Sequence, residues 1–292
     1  MKLFFEGIPW RERDGRFSAF KLACFIGLLA PGLWMAWLLA SGNTGPRPVD
    51  ELTHETGRWA VWFLLGSLAI TPLRRLFAWP QLLKLRRQIG LAAMVYILLH
   101  FALYVVEQKL DPVRVVREIV LRFYLTIGFV ALLGLVALGA TSTDSALRRL
   151  GGKAWGRLHR LVYFIALLGL IHYLLQAKRE LYDPTLQVGL FGWLMLYRAG
   201  YALGQMRRAW QAWLLAPLAG LLAAAAETGW VVCCTELPWL RVLNANLNFD
   251  FRIAPAWWVL AAGLLVALLA TIRSRASHGG AARRASAQAR TA

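Results

Sequence analysis

The sequence predicts an all-α integral membrane protein: a bundle of eight spanning helices, six forming a core and two added after it. Three observations predict this. The 292-residue chain is 59% hydrophobic, where a soluble domain averages roughly 45–50%. Eight apolar runs reach or approach the length needed to cross a bilayer. Lys and Arg gather in alternate connections between those runs, with 23 of the 33 in the N-terminal segment, 74–87, 148–160, 198–208 and the segment from 273 onward. That asymmetry, with an even number of spans, predicts a multi-pass membrane protein with both termini in the cytoplasm. It also accounts for the net charge of +18. Anionic lipid headgroups and an acidic cytoplasmic partner fit charges arranged by membrane side, and nucleic acid does not.

The elements follow in order. Residues 1–21 are polar and basic, with Lys2, Arg11, Arg13, Arg16 and Lys21. The first span, 22–40, is too long for a signal-peptide core and is read as retained. A polar loop, 41–57, contains Pro46, Pro48, His54 and Gly57; the second span, 59–73, is broken or kinked near Pro72. After a basic loop comes the third span, 89–106, with His100. Residues 107–122 are mixed and charged, fitting a short surface helix. The fourth span is 123–140, and the fifth, 155–175, carries His159 and His172. The sixth is 186–204, ending at Gln205-Met206-Arg207-Arg208, and the last two are 213–234 and 256–272. Four segments result: an N-terminal segment 1–21, a six-helix domain 22–208, a two-helix extension 209–272, and a basic tail 273–292 expected to be disordered.

The chemistry rests on the histidines. Imidazole is costly in hydrocarbon and is placed there for a task or a partner. The third and fifth spans both enter from the cytoplasmic side. His100 and His172 then sit at similar depth, about 18–25 Å along their helices. Two neutral imidazoles at one depth on two parallel helices are what a bis-histidine haem b needs. The ordinary alternative is that each only hydrogen-bonds a neighbouring helix. His159 lies about 20 Å from His172 along the helix, near the cytoplasmic face. It could ligate a second haem, orient a cofactor or meet lipid phosphates; the number of haems, one or two, stays open. His54 reads as a solvated or capping loop histidine, and His278 as inert.

Arg74, Arg75, Lys84, Arg86 and Arg87 share one cytoplasmic connection. Guanidinium forks bind phosphate and carboxylate bidentately, so these residues could hold a flavin phosphate or haem propionates, or dock an acidic reductase. Most would serve as positive-inside anchors in any case. Arg86 and Arg87 stand out because they begin the helix that carries His100. Cys24, Cys233 and Cys234 form no CxxC or CxxCH, which excludes c-type haem attachment and iron–sulfur sets. A dinucleotide loop, a Walker A motif and a placeable Ser–His–Asp set are all lacking, so electrons must come from another protein or a small carrier.

The runs ELTHETGRWA…LAITPLRR, LRRQIGLAAMVYILLHFALY, LRFYLTIGF and ATSTDSALRRLGGKAWGRLHRLVYFIALLGLIHY resemble the MsrQ (YedZ) family. That family belongs to the ferric-reductase-like transmembrane superfamily, related to the membrane core of NADPH oxidases. The resemblance covers about residues 20–208 in motif order, loop length and all three intramembrane histidines. It implies a six-helix haem bundle in the bacterial inner membrane and an electron-transfer subunit of a methionine sulfoxide reductase system. It implies haem b and FMN as cofactors, with a periplasmic MsrP-like molybdopterin reductase as the electron acceptor. The donor would be the quinone pool or a cytosolic flavin reductase, and membrane lipid the surrounding partner. Carried over, the haem ligands fall on His100, His159 and His172, and the paired arginines on Arg86 and Arg87. The extension beyond 208 departs from the six-helix pattern. Two rivals remain at this stage. A stand-alone ferric or oxygen reductase would act without a partner, and a non-redox anchor or transporter would show no haem absorbance.

Overall fold

The computed structural model describes residues 8–12, 14–177, 180–206, 210–234, 237–250 and 252–291. Lys2, Arg13, Arg207 and Arg208 of the basic segments fall outside these residues, as does the side chain of His278. Among the described residues the chain is all-α, with one isolated bridge between Arg11 and Phe17. The helices are α1 (Ala19–Ala40), α2 (Pro48–Leu76), α3 (Leu83–Glu107, entered by a 3-10 turn Pro80–Leu82), α4 (Pro112–Leu121) and α5 (Phe123–Ala140). They continue as α6 (Asp144–His159), α7 (Val162–Gln176), α8 (Tyr182–Ala202), α9 (Gln211–Cys234), α10 (Trp239–Leu247) and α11 (Pro255–Thr291).

Six stretches among the described residues are long and apolar enough to cross a membrane: α1, Pro80–Glu107, α5, Asp144–Gln176, α9 and Pro255–Arg275. α2 and α8 were expected to be the second and sixth spans. They form helices of 29 and 21 residues, but polar residues dilute their apolar runs below that standard. The large apolar side chains left exposed on the spans, such as Leu33, Val95, Leu133 and Leu221, belong against lipid, where exposure carries no penalty.

The chain divides into two compact units. The first takes in the chain up to Ile70 and Leu83–Gln176; the second takes in Thr71–Leu82 and the chain from Ala177. In the first, α5 packs on α3, α4 and α7, and α1 on α3. Its centre is built from Ala93 and Tyr96 of α3, Leu135 of α5 and Leu170 of α7. α1 contains Pro31, which removes a helical donor and crowds the preceding turn. The ladder opens there and Tyr96 fills the gap. Its hydroxyl accepts from the Gly32 amide at 2.7 Å and donates to the Leu28 carbonyl at 3.0 Å, so one phenol replaces the missing Gly32-to-Leu28 bond. Tyr96→Phe strands a half-buried amide and a buried carbonyl together. It is expected to destabilise the protein by about 1–3 kcal/mol, read as a lowered midpoint in thermal unfolding of the detergent-purified protein.

Three local features differ from the sequence reading. The loop expected over 41–57 becomes helical at Pro48, because proline is preorganised for the first helical position and Asp50 and Glu51 suit the positive end of the helix. His54 therefore stands on a helix and not in a loop. The polar segment before 155 also folds, as the start of α6, with Thr143 capping it through the Ala146 amide. Gly151, at φ 73°, bends that helix where only glycine is at ease. The single helix expected over 155–175 is interrupted at Arg160–Leu161. There the amides of Arg160 and Leu161 bond back three residues, to Arg157 and Leu158.

In the second unit, α9 packs on α8, α10 and α11. Ala212, Ala216, Ala219 and Ala223 of α9 are wholly buried. A Cβ on Gly263 of α11 would lie 2.8 Å from that of Ala216, so small residues let the two backbones approach, as membrane helices require. α11 runs as helix through Thr291, where the composition suggested a disordered tail; its many Ala and Arg residues favour helix.

Candidate functional site

His100 of α3 and His172 of α7 come together inside the first unit. Their ring centres are 6.4 Å apart, with the planes at 79°. Each ring is tied by its Nδ1. That of His100 lies 2.7 Å from the Thr53 carbonyl oxygen, and that of His172 lies 2.8 Å from the Tyr124 carbonyl oxygen. A carbonyl can only accept, so Nδ1 carries the proton in both rings and donates it. Both imidazoles are thereby fixed as the tautomer that leaves the Nε2 lone pair for a ligand.

The two seats are built alike. One turn beyond Thr53 on α2 is Gly57, and a Cβ there would lie 2.9 Å from His100 Nδ1. One turn beyond Tyr124 on α5 is Gly128, where a Cβ would lie 2.7 Å from His172 Nδ1. Each ring lies over a bare glycine and reaches the carbonyl four residues before it. Sequence reasoning missed this device. Its acceptors are backbone atoms with no side-chain signature, Gly57 reads as part of a loop, and the one signal was a glycine inside the apolar run at 128.

The rings open on a cavity of about 210 Å³. Phe101, Tyr104, Phe129 and Leu132 wall it, and its mouth is polar, with Asp50, His54, Arg114, Glu118 and Arg122. α4 supplies Arg114 and Glu118, and Arg122 caps its C-terminal end. Arg122 pairs with Glu118 at 2.5 Å and meets the Tyr124 hydroxyl at 3.1 Å; His54 lies 3.5 Å from Asp50. His54 lines the mouth but makes no part of the ring pair.

His159 is placed apart from that pair, at the end of α6. Its ring stacks on Trp155 at 3.8 Å, and its Nε2 lies 3.2 Å from the Thr141 hydroxyl. That hydroxyl donates to the Ala137 carbonyl at 2.8 Å. Nε2 of His159 is therefore the donor, and the free lone pair is on Nδ1, the reverse of the other two rings. Arg86 and Arg87 are its charged neighbours. Arg87 is ion-paired with Asp144, a partner the sequence reading did not foresee. Arg86 is exposed, with no carboxylate partner among the described residues.

Among the described residues no three His, Cys, Asp or Glu side chains gather to hold a metal ion. A metal between His100 and His172 would have two protein donors only, so its other ligands would have to come from a bound group, as a haem macrocycle supplies them. The spacing suits that. A bond of about 2 Å on each side, plus the radius of each ring, comes to roughly 6.4 Å between ring centres.

Residues 56–170 match the ferric reductase like transmembrane component family. That segment contains both ring-seating glycines, Arg86, Arg87, His100 and His159, and stops two residues before His172. A protein-methionine-sulfoxide reductase heme-binding subunit MsrQ from Rhodospirillum rubrum is 42% identical over 189 residues, 64% of this chain and 88% of the relative. The chain belongs to the MsrQ family. MsrQ proteins of Caulobacter vibrioides and Herminiimonas arsenicoxydans are 40% and 38% identical, covering 83% and 85% of those relatives. These MsrQ relatives account for 61–64% of this chain. No solved structure matches it.

Proposed function

We propose that this chain is a haem b electron-transfer subunit. It would carry electrons across the inner membrane to a periplasmic MsrP-like molybdopterin reductase that repairs oxidised methionine in proteins. The observation that carries the reading is the pair of imidazoles, His100 and His172, held as the same ligand-ready tautomer at the spacing of two ligands on one metal. The names of the MsrQ relatives, heme-binding subunits of a methionine sulfoxide reductase, support it. When bound, haem supplies a one-electron couple; the protein tunes and positions it.

In this reading His100 and His172 would hold the haem iron through their Nε2 lone pairs, and the Thr53 and Tyr124 carbonyls hold the rings and raise their basicity. Phe101, Phe129 and Leu132 keep water from the ring faces. His159, Arg86 and Arg87 form the input end on the cytoplasmic side. There Arg86, not engaged by a carboxylate, is the cation offered to an FMN phosphate, while Arg87 is held by Asp144. Electrons are taken up at that end, from the quinone pool or a cytosolic flavin reductase, and leave at the end that carries His100 and His172.

The test is the reduced-minus-oxidised visible spectrum of the purified full chain, with its haem-to-protein ratio, followed by electron delivery to an added MsrP-like reductase. The expected result is b-type bands at one haem or more per chain, reoxidised by the reductase with its substrate present. Absence of b-type bands would leave an anchor or transporter. Bands that ferric iron or oxygen reoxidises but the reductase does not would make the chain a stand-alone reductase.

A further inference from the structure

The second unit contains a cluster of arginines that the haem reading does not use. Arg74 and Arg75 end α2, Arg198 lies near the end of α8, and Arg273 follows the apolar part of α11. Arg74, Arg75 and Arg198 all lie within electrostatic reach of Tyr197, one of the most deeply buried residues of the chain. The Arg75 guanidinium sits 3.6 Å over the Tyr201 ring, and that of Arg273 lies 5.7 Å from the centre of Trp79. Stacking holds a guanidinium plane while leaving its in-plane donors free for an acceptor. The Nε of Arg74 is buried with no acceptor, a costly state for a charged donor.

Among the described residues no carboxylate pairs with Arg74, Arg75 or Arg273. The described acids of this unit are Glu180, Asp183, Glu227 and Asp250. Asp183 precedes Tyr197 by about 21 Å of helix, and Glu227 is about 21 Å along α9 from Trp213, which bonds Thr271. Ordinary positive-inside anchors point singly into water. Here Arg74 and Arg75 converge on Tyr197, one donor is buried, and aromatic rings lie under the Arg75 and Arg273 guanidinium groups. Exposed Trp210 and Trp213 mark the headgroup level beside the cluster, and exposed Leu214, Leu218 and Leu221 continue as an apolar track along α9.

We propose that Arg74, Arg75 and Arg273, with Tyr201 and Trp79, form a phosphate-binding site on this unit, occupied by the headgroup of an anionic membrane phospholipid whose acyl chain follows α9. The same forks would take the phosphate of FMN, so the experiment separates the two sources.

The experiment is native mass spectrometry of the detergent-purified full chain titrated with phosphatidylglycerol or phosphatidylcholine, with FMN content measured on the same preparations. The variants are Arg74→Gln/Arg75→Gln, its conservative counterpart Arg74→Lys/Arg75→Lys, Arg273→Gln, and Arg117→Gln as a control on another surface. The wild type is expected to retain phosphatidylglycerol over phosphatidylcholine. Both double variants should lose that retention by roughly tenfold, since lysine keeps the charge but not the fork. Arg273→Gln should lose part of it and Arg117→Gln none. The lysine variant carries the test if the glutamine variant does not fold, and the thermal midpoint reports which case applies. Loss of FMN with phosphatidylglycerol unchanged would assign the site to the flavin phosphate. Equal retention of both ligands by wild type and both double variants would overturn the proposal and leave the arginines as topology anchors.

Discussion

His172→Ala is expected to remove the b-type absorbance of the paired-histidine site completely, and His100→Ala to do the same, whereas His159→Ala keeps it. Among the described residues no further His, Cys, Asp or Glu group gathers at the pair. A metal there loses half of its protein ligands with either substitution, and no neighbour can replace them. His54, the nearest other imidazole lining the cavity, is engaged with Asp50 at the mouth. His159 is a separate case because its Nε2 proton is given to Thr141 and its ring is pinned on Trp155. The measurement is the difference spectrum with haem-to-protein ratio for the three variants. Equal loss of bands in all three would put His159 in the same site and contradict the geometry. Retention of bands in His172→Ala would remove the basis of the proposed ligand pair.

Gly128→Ala is expected to lower haem content by about 10–100-fold, the range seen when a group that orients a metal ligand is lost. The added methyl would approach His172 at 2.7 Å from Nδ1 and 2.8 Å from Cε1. Neither position can stand, so the ring must lift and the bond to the Tyr124 carbonyl must break. Once released, the ring can present either nitrogen, and the bound population falls. Gly57→Ala should act in the same direction through His100, less severely, because its closest approach is 2.9 Å. Gly27→Ala on α1 is the control, since nothing lies within 4 Å of its added carbon. The measurement is haem content with the midpoint potential of what remains. A Gly128→Ala protein with wild-type content and potential would show that the seat does not hold the ring. A folding defect would appear as a lowered thermal midpoint in the haem-free protein as well.

How far the site could be read in advance follows from which atoms make it. The depth argument brought His100 and His172 together because rise per residue is fixed in a helix, and both helices start from the same basic side. The same argument could not give the tautomers, because these depend on the Thr53 and Tyr124 carbonyls of other helices. Arg86 and Arg87 looked like a pair in the sequence. The fold distinguishes them, giving Arg87 to Asp144 and leaving Arg86 exposed. The helix 155–175 looked continuous because its composition is apolar throughout, and the break at Arg160–Leu161 leaves no mark in hydropathy. The fold of α2 from Pro48 was in principle legible, from a proline followed by two acids, but the polar composition hid it.

The sequence by itself determined the all-α membrane class, the helix order and the histidines able to serve as ligands. Hydropathy, charge asymmetry and helical rise are local properties that need no partner. Only the tertiary structure decided that His100 and His172 share one cavity, which nitrogen each offers, and that His159 stands apart. Those outcomes depend on bare glycines and main-chain carbonyls that other helices bring to the rings, and such approaches are not written in any one stretch of chain.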